Sequence, residues 1–340
     1  MTALRVAALG AGYFSQFHYD SWRRMPEVTL VGAYDLDSEK AQSTGLPAFS
    51  DLSAMLAQTQ PDLLDIILPP VSHRAAIETA LAAGVRHIIC QKPFCQNLDE
   101  ARAMTQAAAD AGATLVIHEN FRFQPWYRKL HEVLATGTLG QVHQLTFRLR
   151  PGDGQGPDAY LARQPYFQQM ARFLVHETAV HWVDTFRYLL GSPTAVYADL
   201  RRVNPVIAGE DAGMILFDHP NGVRAFFDGN RSLDHAAGNT RCTMGEALVE
   251  GTQGTITLQG DGSLWHRPFA GLEATCILSG TQVSGFGGDC VHALQSHVVS
   301  GILKGTTLEN TAEDYLEVIA IEQAIYRSAA EGRKLPLVGA

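Results

Sequence analysis

The stretch Gly10-Ala11-Gly12-Tyr13-Phe14-Ser15 constrains this chain more than any other because of what flanks it. An unbroken apolar run, Leu4–Leu9, leads straight into it, and a helical pattern over residues 14–25, stopped by Pro26, leads out. In such a strand–turn–helix, Gly10 permits the tight turn. Gly12 lets the backbone approach a pyrophosphate at the positive helix N-terminus, beside Tyr13 and Phe14. Ser15 replaces the third glycine of the dinucleotide fingerprint and is small enough for close packing of helix on strand. Val28–Tyr34 reads as a second strand, and Asp35 falls at its end, where a carboxylate can accept both ribose hydroxyls. A tight turn followed by an unrelated surface aspartate would explain the pieces singly; a dinucleotide site explains their order. A 2′-phosphate would meet the charges of Asp35 and Asp37, and no Arg or Lys occurs between Asp35 and Lys40. NAD is therefore expected in preference to NADP.

The alternation continues. Residues 52–58 form a short helical pattern that Asp51 can cap, ahead of the apolar run 63–68. Ser72 can cap a helix reaching Ala83, with Gly84 just beyond, and residues 87–90 give a short strand. Asn97 with Glu100 three residues on resembles a capping box, opening a helix that ends at Gly112; residues 114–119 give one more strand. Continuous apolar strands alternating with helices imply a doubly wound parallel sheet, a Rossmann α/β domain covered on both faces.

After about Arg122 the period changes. Leu145, Phe147 and Leu149 alternate with Thr146, Arg148 and Arg150, as in a sheet with one wet face. Residues 214–217 and 223–230 flank His219-Pro220-Asn221-Gly222, whose Asn-Gly favours a hairpin. Residues 254–259 add another alternating strand. Helical patterns cover residues 177–190, ending at Gly191, then Cys290–Lys304 and Ala312–Glu331. Strands in series with helices grouped apart suggest an α+β second domain on a large, mostly antiparallel, open-faced sheet. At roughly 100–200 residues per domain, 340 residues make two, divided here as residues 1–122 and 123–340.

Composition narrows the function classes. There are 26 Lys and Arg against 35 Asp and Glu, a net charge of −9, the wrong sign for a phosphate-backbone binder, so no nucleic-acid partner is expected. No apolar run approaches the roughly 20 residues that span a bilayer, so no membrane partner is expected. The opening residues show no secretory signal pattern. The five cysteines are scattered and lack a C-x-x-C pair, which fits reduced thiols in a cytoplasm.

Gln91-Lys92-Pro93 follows the strand at residues 87–90, so Lys92 lies at a carboxyl end of the sheet, where open α/β folds bind ligands. Pro93 restricts the Lys92 backbone and makes a cis bond possible. A lysine partly desolvated beside a nicotinamide suits general acid–base work; the alternative is a solvated surface lysine. Cys90 and Cys95 nearby read as core fillers.

At this point a family resemblance appears. Gly10-x-Gly12, Asp35, Leu68-Pro69-Pro70-x-x-His73, Gln91-Lys92-Pro93 and Asn120-x-Arg122-Phe123 together resemble the Gfo/Idh/MocA oxidoreductases, such as glucose–fructose oxidoreductase and inositol dehydrogenase. The likeness runs on through Gly137-x-x-Gly140-x-Val142 to residues 324–332. It implies a Rossmann domain, an open-faced sheet domain and a hydride-transfer site at their junction. By the same resemblance Lys92 is the catalytic lysine, and Leu68, Pro69, His73, Gln91, Lys92 itself and Asn120 are cofactor contacts. The family's usual Glu-Lys-Pro is Gln-Lys-Pro here, which removes a carboxylate but leaves the ammonium.

The second site segment is His176-Glu177-Thr178-Ala179-Val180-His181-Trp182-Val183-Asp184. On a regular helix Glu177, His181 and Asp184 would share one face. Family members typically carry Asp-x-Gly-x-His-x-x-Asp. The resemblance makes His181 the proton-relay histidine on the substrate hydroxyl, with Glu177 in place of the aspartate. A buried core histidine and a salt-bridged Asp184 are the plainer readings. His176 and His181 are five apart, about 140° around a helix, so no metal site is expected.

Arg122, Tyr160, Arg163 and Arg231, together with His181, are the candidate substrate contacts; Gln164, Tyr166 and His235 lie near them in sequence. Long polar and aromatic side chains suit sugar hydroxyls, and arginines suit a carboxylate. The expectation is an NAD-dependent dehydrogenase or reductase acting on a secondary alcohol of a sugar, cyclitol or polyol. The alternatives are an enzyme using tightly bound NAD for a net non-redox reaction, such as glycoside cleavage or epimerisation, and a non-catalytic NAD sensor. The exposed face of the second sheet needs cover, so a homodimer or homotetramer is expected.

Overall fold

Strands covered on both faces can be apolar throughout, and the first strands of this chain are. The computed structural model describes residues 3–280 and 285–337, and the chain divides into two units. The first unit holds the residues up to Asn120 together with Val291–Ile319; the second holds Phe121–Cys290 and the residues from Ala320 on.

In the first unit the elements run β1 (Leu4–Leu9), α1 (Ser15–Arg23), β2 (Val28–Tyr34), α2 (Ser38–Ser43), β3 (Ala48–Phe49), α3 (Leu52–Thr59), β4 (Leu63–Ile66), α4 (His73–Ala82), β5 (His87–Gln91), α5 (Leu98–Asp110) and β6 (Thr114–His118). The six strands pair in parallel in the order β3-β2-β1-β4-β5-β6, with the order reversing at β1 and β4. Asp51 accepts from the Ala54 N–H at 2.6 Å and Asn97 from the Glu100 N–H at 2.9 Å, the caps expected from the sequence. Glu100 closes its half of the box on the Gln96 N–H. Ser72 makes no side-chain cap, because the turn Pro70–Ser72 already leads into α4.

The second unit carries α6 (Pro125–Ala135), β7 (Val142–Leu149), a π-helical segment Leu174–Ala179 that passes into α7 (Val180–Leu190), β8 (Ala195–Arg201), β9 (Ala212–Asp218), β10 (Arg224–Asn230), β11 (Gly245–Gly251), β12 (Gly254–Leu258), β13 (Leu264–Pro268) and β14 (Thr275–Leu278). Its sheet has the order β14-β13-β12-β11-β7-β10-β9-β8-β15, where β15 is Leu335–Pro336. Among the described strands of this sheet only β7 and β10 pair in parallel. The β9–β10 hairpin turns through Asn221 and Gly222, at φ 62° and 77°, left-handed values this pair accepts readily. The inner face buries Leu145, Phe147, Leu149, Ile215, Phe217, Ala225 and Phe227. Trp182 of α7 stacks on Phe147 at 4.2 Å and Phe186 meets Phe217 edge-on at 5.9 Å. Each such side chain is worth about 1.5–3 kcal/mol when fully buried, so these contacts fix α7 on the sheet.

Two expectations change. The division at residue 122 assigned everything beyond to one domain, yet residues 291–319 return to the first unit. They are α8 (Cys290–Lys304), all but its first residue, and the start of α9 (Ala312–Glu331). Gln295 reaches Asp65, Asn310 donates to the Glu119 carbonyl at 2.6 Å, and the Tyr315 hydroxyl reaches Glu119. The helix expected over residues 177–190 is not regular, since its first turn widens into the π segment. Among the described residues no helix is long and apolar enough to cross a membrane.

Candidate active-site residues

The turn after β1 has the expected geometry. Gly10 sits at φ +100°, and a Cβ there would lie 2.3 Å from the Ile67 carbonyl oxygen, so only glycine fits. A Cβ on Gly12 would meet nothing within 4 Å. No side chain caps the first turn of α1, whose N-cap residue is Phe14; Tyr13 is exposed and Phe14 half-buried. Open space over Gly12 and an uncapped helix N-terminus fit a phosphate-bearing cofactor. Ser15 is buried, and its hydroxyl donates to the Gly12 carbonyl at 2.7 Å.

Asp35 stands one residue beyond β2. Its Oδ2 accepts from the Ala11 N–H at 2.8 Å and its Oδ1 from the Asp37 N–H at 2.9 Å. The carboxylate thus fixes the glycine turn, and each oxygen has a second lone pair for a ribose hydroxyl. Asp37 caps α2 by accepting from the Glu39 N–H. These residues fit a dinucleotide carrying an unphosphorylated ribose.

Leu68 and Pro69 form the turn after β4, with Pro69 exposed. His73 is wholly buried, and both ring nitrogens are engaged inside the unit: Nε2 donates to the Leu68 carbonyl at 2.8 Å and Nδ1 accepts from the Cys95 N–H at 3.4 Å. Burial lowers its pKa to about 4, against smaller opposing effects of the Leu68 carbonyl and Glu100. A neutral ring in this position ties the Leu68–Pro69 turn to the turn carrying Lys92. His73, a cofactor contact by the resemblance, thus also supports its neighbours.

Lys92 follows β5 directly, is half-buried, and joins Pro93 through a cis bond. Gln91 is buried, its Oε1 accepting from the Lys92 N–H at 2.8 Å. Asn120 is buried at the end of this unit's first stretch. Burial pushes the Cys90 thiol up and that of Cys95 to about 12, as expected of core fillers.

In the second unit His181 is buried on α7 with its ring stacked on Phe121, centroids 3.7 Å apart and planes 3° from parallel. Asp184, one turn on, is fully buried and forms a bidentate pair with Arg122: Nε to Oδ2 at 2.8 Å and Nη2 to Oδ1 at 2.5 Å. The guanidinium of Arg122, a candidate substrate contact, neutralises Asp184, which matches the plainer reading of that aspartate. Glu177 lies in the π segment, off the regular spacing. Its charge reaches Tyr166, where burial first and Glu177 second push the phenol up to about 12.

Arg231 is buried, donating to Asp153 and Tyr160 and, through Nη1, to the Thr178 hydroxyl at 2.5 Å. Arg163 completes the cluster on Asp153 at 3.0 Å. Burial would raise the Asp153 carboxyl, but Arg231 and Arg163 hold it below the usual carboxylate range. Tyr160, Arg163 and Arg231 thus pin the loop after β7 to the π segment, which the sequence could not distinguish from binding sugar. Two anchors of that segment were not foreseen. The Glu210 Oε1 accepts from the Phe173 and Val175 N–H groups and from the Tyr326 hydroxyl. His176 pairs with Glu322 at 2.7 Å. The only sequence signal for either is an acidic residue in a largely apolar setting.

Comparison with known proteins follows the same two-part division. Residues 4–119 match the model of an oxidoreductase family with an NAD-binding Rossmann fold, and residues 127–257 match the GFO/IDH/MocA C-terminal domain. The chain is 33% identical to D-apiose dehydrogenase of Paraburkholderia graminis over 97% of this chain and 89% of that protein. It is 30% identical to D-apiose dehydrogenase of Rhizobium rhizogenes over 99% and 98%. A solved oxidoreductase from Agrobacterium radiobacter, in complex with NAD+, L-tartaric acid and magnesium, superimposes with a TM-score of 0.88 at 30% identity, covering 98% of each chain.

Proposed function

Since this chain belongs to the GFO/IDH/MocA oxidoreductase family, with its NAD-binding Rossmann fold, we propose that it is an NAD-dependent dehydrogenase of a sugar or closely related polyol, oxidising a CH–OH group. D-Apiose is the first substrate to try, given the two near-full-length relatives named for it. The observation that carries the reading is the position of Lys92, one residue beyond β5, in the same sheet as a glycine turn with open space over Gly12.

When bound, NAD supplies the hydride acceptor. The Gly10–Gly12 turn, the N-terminus of α1 and Asp35 would hold it; the carboxylate favours a ribose without a 2′-phosphate. The Lys92 amine takes the proton that the substrate hydroxyl releases. His181, its plane fixed by Phe121, hydrogen-bonds the substrate, and Glu177 helps to orient it. The relatives' names favour net oxidation over a non-redox reaction or a sensor role.

Turnover is tested by NADH formation from D-apiose, aldoses, sugar acids and inositols, repeated with NADP. Lys92→Met should retain NAD binding and lower kcat by a factor of about 10²–10⁴. Near-normal kcat in that variant would remove Lys92 from the mechanism.

A homo-oligomer formed through the outer face of the second sheet also belongs to this proposal. Register aligns Tyr197, Leu216, Phe226, Thr146, Leu248, Thr257 and Trp265 side by side across seven strands. Such a stripe supports burial against a second copy. Buried Cys90, Cys95 and Cys290 support a reducing cytoplasm as the working compartment.

A further inference from the structure

Asp65 is a carboxylate in the middle of β4, flanked by Leu63, Leu64 and Ile66 and wholly buried. Stability alone does not call for it, since a buried carboxylate is costly to desolvate and well-packed apolar side chains often serve as well. Its Oδ2 faces three groups: Trp22 Nε1 at 2.7 Å, His18 Nδ1 at 2.8 Å and Gln295 Nε2 at 3.2 Å. On its far side the ring of His18, also wholly buried, meets Gln91 Nε2 at 3.2 Å through its own Nε2.

The direction of every bond in this chain is forced. The Lys92 N–H can only donate, so the Gln91 atom it meets at 2.8 Å is the amide oxygen. The other end of that amide is then NH2, which can only donate, so His18 Nε2 accepts. The ring proton therefore sits on Nδ1 and points at Asp65, which accepts. Residues of α1, β4 and β5 thus form, with Lys92 just beyond β5, one polarised line, Asp65–His18–Gln91–Lys92, ending on the backbone of the candidate catalytic residue. His18 rides on α1, the helix whose N-terminus faces the open space over Gly12. The same turn is held at its other end, where the Cys95 N–H donates to His73.

We propose that Gln91 is a positioning residue for Lys92, locked in one orientation by His18 and Asp65, so that α1 and the lysine turn are held in one fixed relation. This rests on the reading of Lys92 as the proton-transfer group. A glutamate at position 91 would offer only acceptors and would require His18 to donate from both ring nitrogens, whereas the Gln91 amide donates to Nε2 and leaves a single ring proton for Asp65.

The test uses Gln91→Met and His18→Phe, which remove the hydrogen bonds while roughly keeping volume, together with the double variant and Lys92→Met. Readouts are kcat, KM, the dissociation constant for NAD and the melting temperature. Each single variant should lower kcat about tenfold or more while NAD binding changes less than about twofold, because small misplacements of a reacting group are costly. The double variant should be no worse than either single one, as for residues acting in one line. An inactive Lys92→Met beside a Gln91→Met of wild-type kcat would overturn the positioning role alone. Loss of NAD binding and melting temperature in step with kcat, or additive losses, would also overturn it by making the line a plain packing element. An active Lys92→Met would instead overturn the reading beneath it.

Discussion

His73 shows what burial does to a titratable ring. The ring is neutral because it is buried between a carbonyl and an N–H, and a second proton would sit on Nδ1 facing the Cys95 N–H. Its pKa in the folded protein, about 4, lies below the value of about 6.5 in the unfolded chain. The unfolded chain therefore binds protons that the folded one refuses. The stabilisation is whole above about pH 6.5 and drains away as pH falls towards 4. His219, lowered to about 4 by burial, behaves alike. Between pH 7 and pH 5 the protein should lose about 2 kcal/mol through His73 alone, a loss absent from His73→Gln. Denaturant melts at the two pH values check this, and equal pH slopes in both proteins would disprove it. The turn at Gly10, the place of Asp35 just beyond β2 and that of Lys92 just beyond β5 were legible because they depend on order along the chain. Arg122 and Arg231 were not, because their partners Asp184 and Asp153 are 62 and 78 residues away.

Among the elements, the parallel sheet, the Asn-Gly hairpin and the strand alternation were legible because periods of two and tight-turn chemistry are local. The π segment Leu174–Ala179 was not, since its shape depends on groups from elsewhere: Glu210 at its first N–H groups, Tyr326 behind Glu210, and Arg231 on Thr178. Arg231 ties this segment to the loop after β7 through Asp153 and Tyr160. Arg231→Met leaves the half-buried Asp153 with Arg163 and the Tyr160 hydroxyl, and should destabilise the protein by up to about 3–5 kcal/mol in chemical denaturation. It should also quicken proteolysis within residues 151–164. A cost below about 1 kcal/mol, with a raised KM for substrate, would restore Arg231 to the sugar-binding role first expected of it.

For the whole molecule, light scattering should give a mass of at least twice 37.0 kDa. Phe226→Asp, at the centre of the outer stripe, should shift that mass towards the single chain while leaving the inner core intact. A wild-type protein of single-chain mass would refute the proposed association. The return of residues 291–319 to the first unit escaped the sequence reading because nothing local marks a chain that comes back after 170 residues in another unit (121–290).

The parallel seam between β7 and β10 has its own corollary. Antiparallel neighbours can be joined by a bend at one edge, whereas a parallel pair obliges the polypeptide to travel the length of the sheet again before it re-enters. The return journey here contains α7, with Trp182 clamped on Phe147 and His181 beside it in sequence. Built from hairpins alone, the same sheet would have no overpass, and position 181 would have no rigid perch.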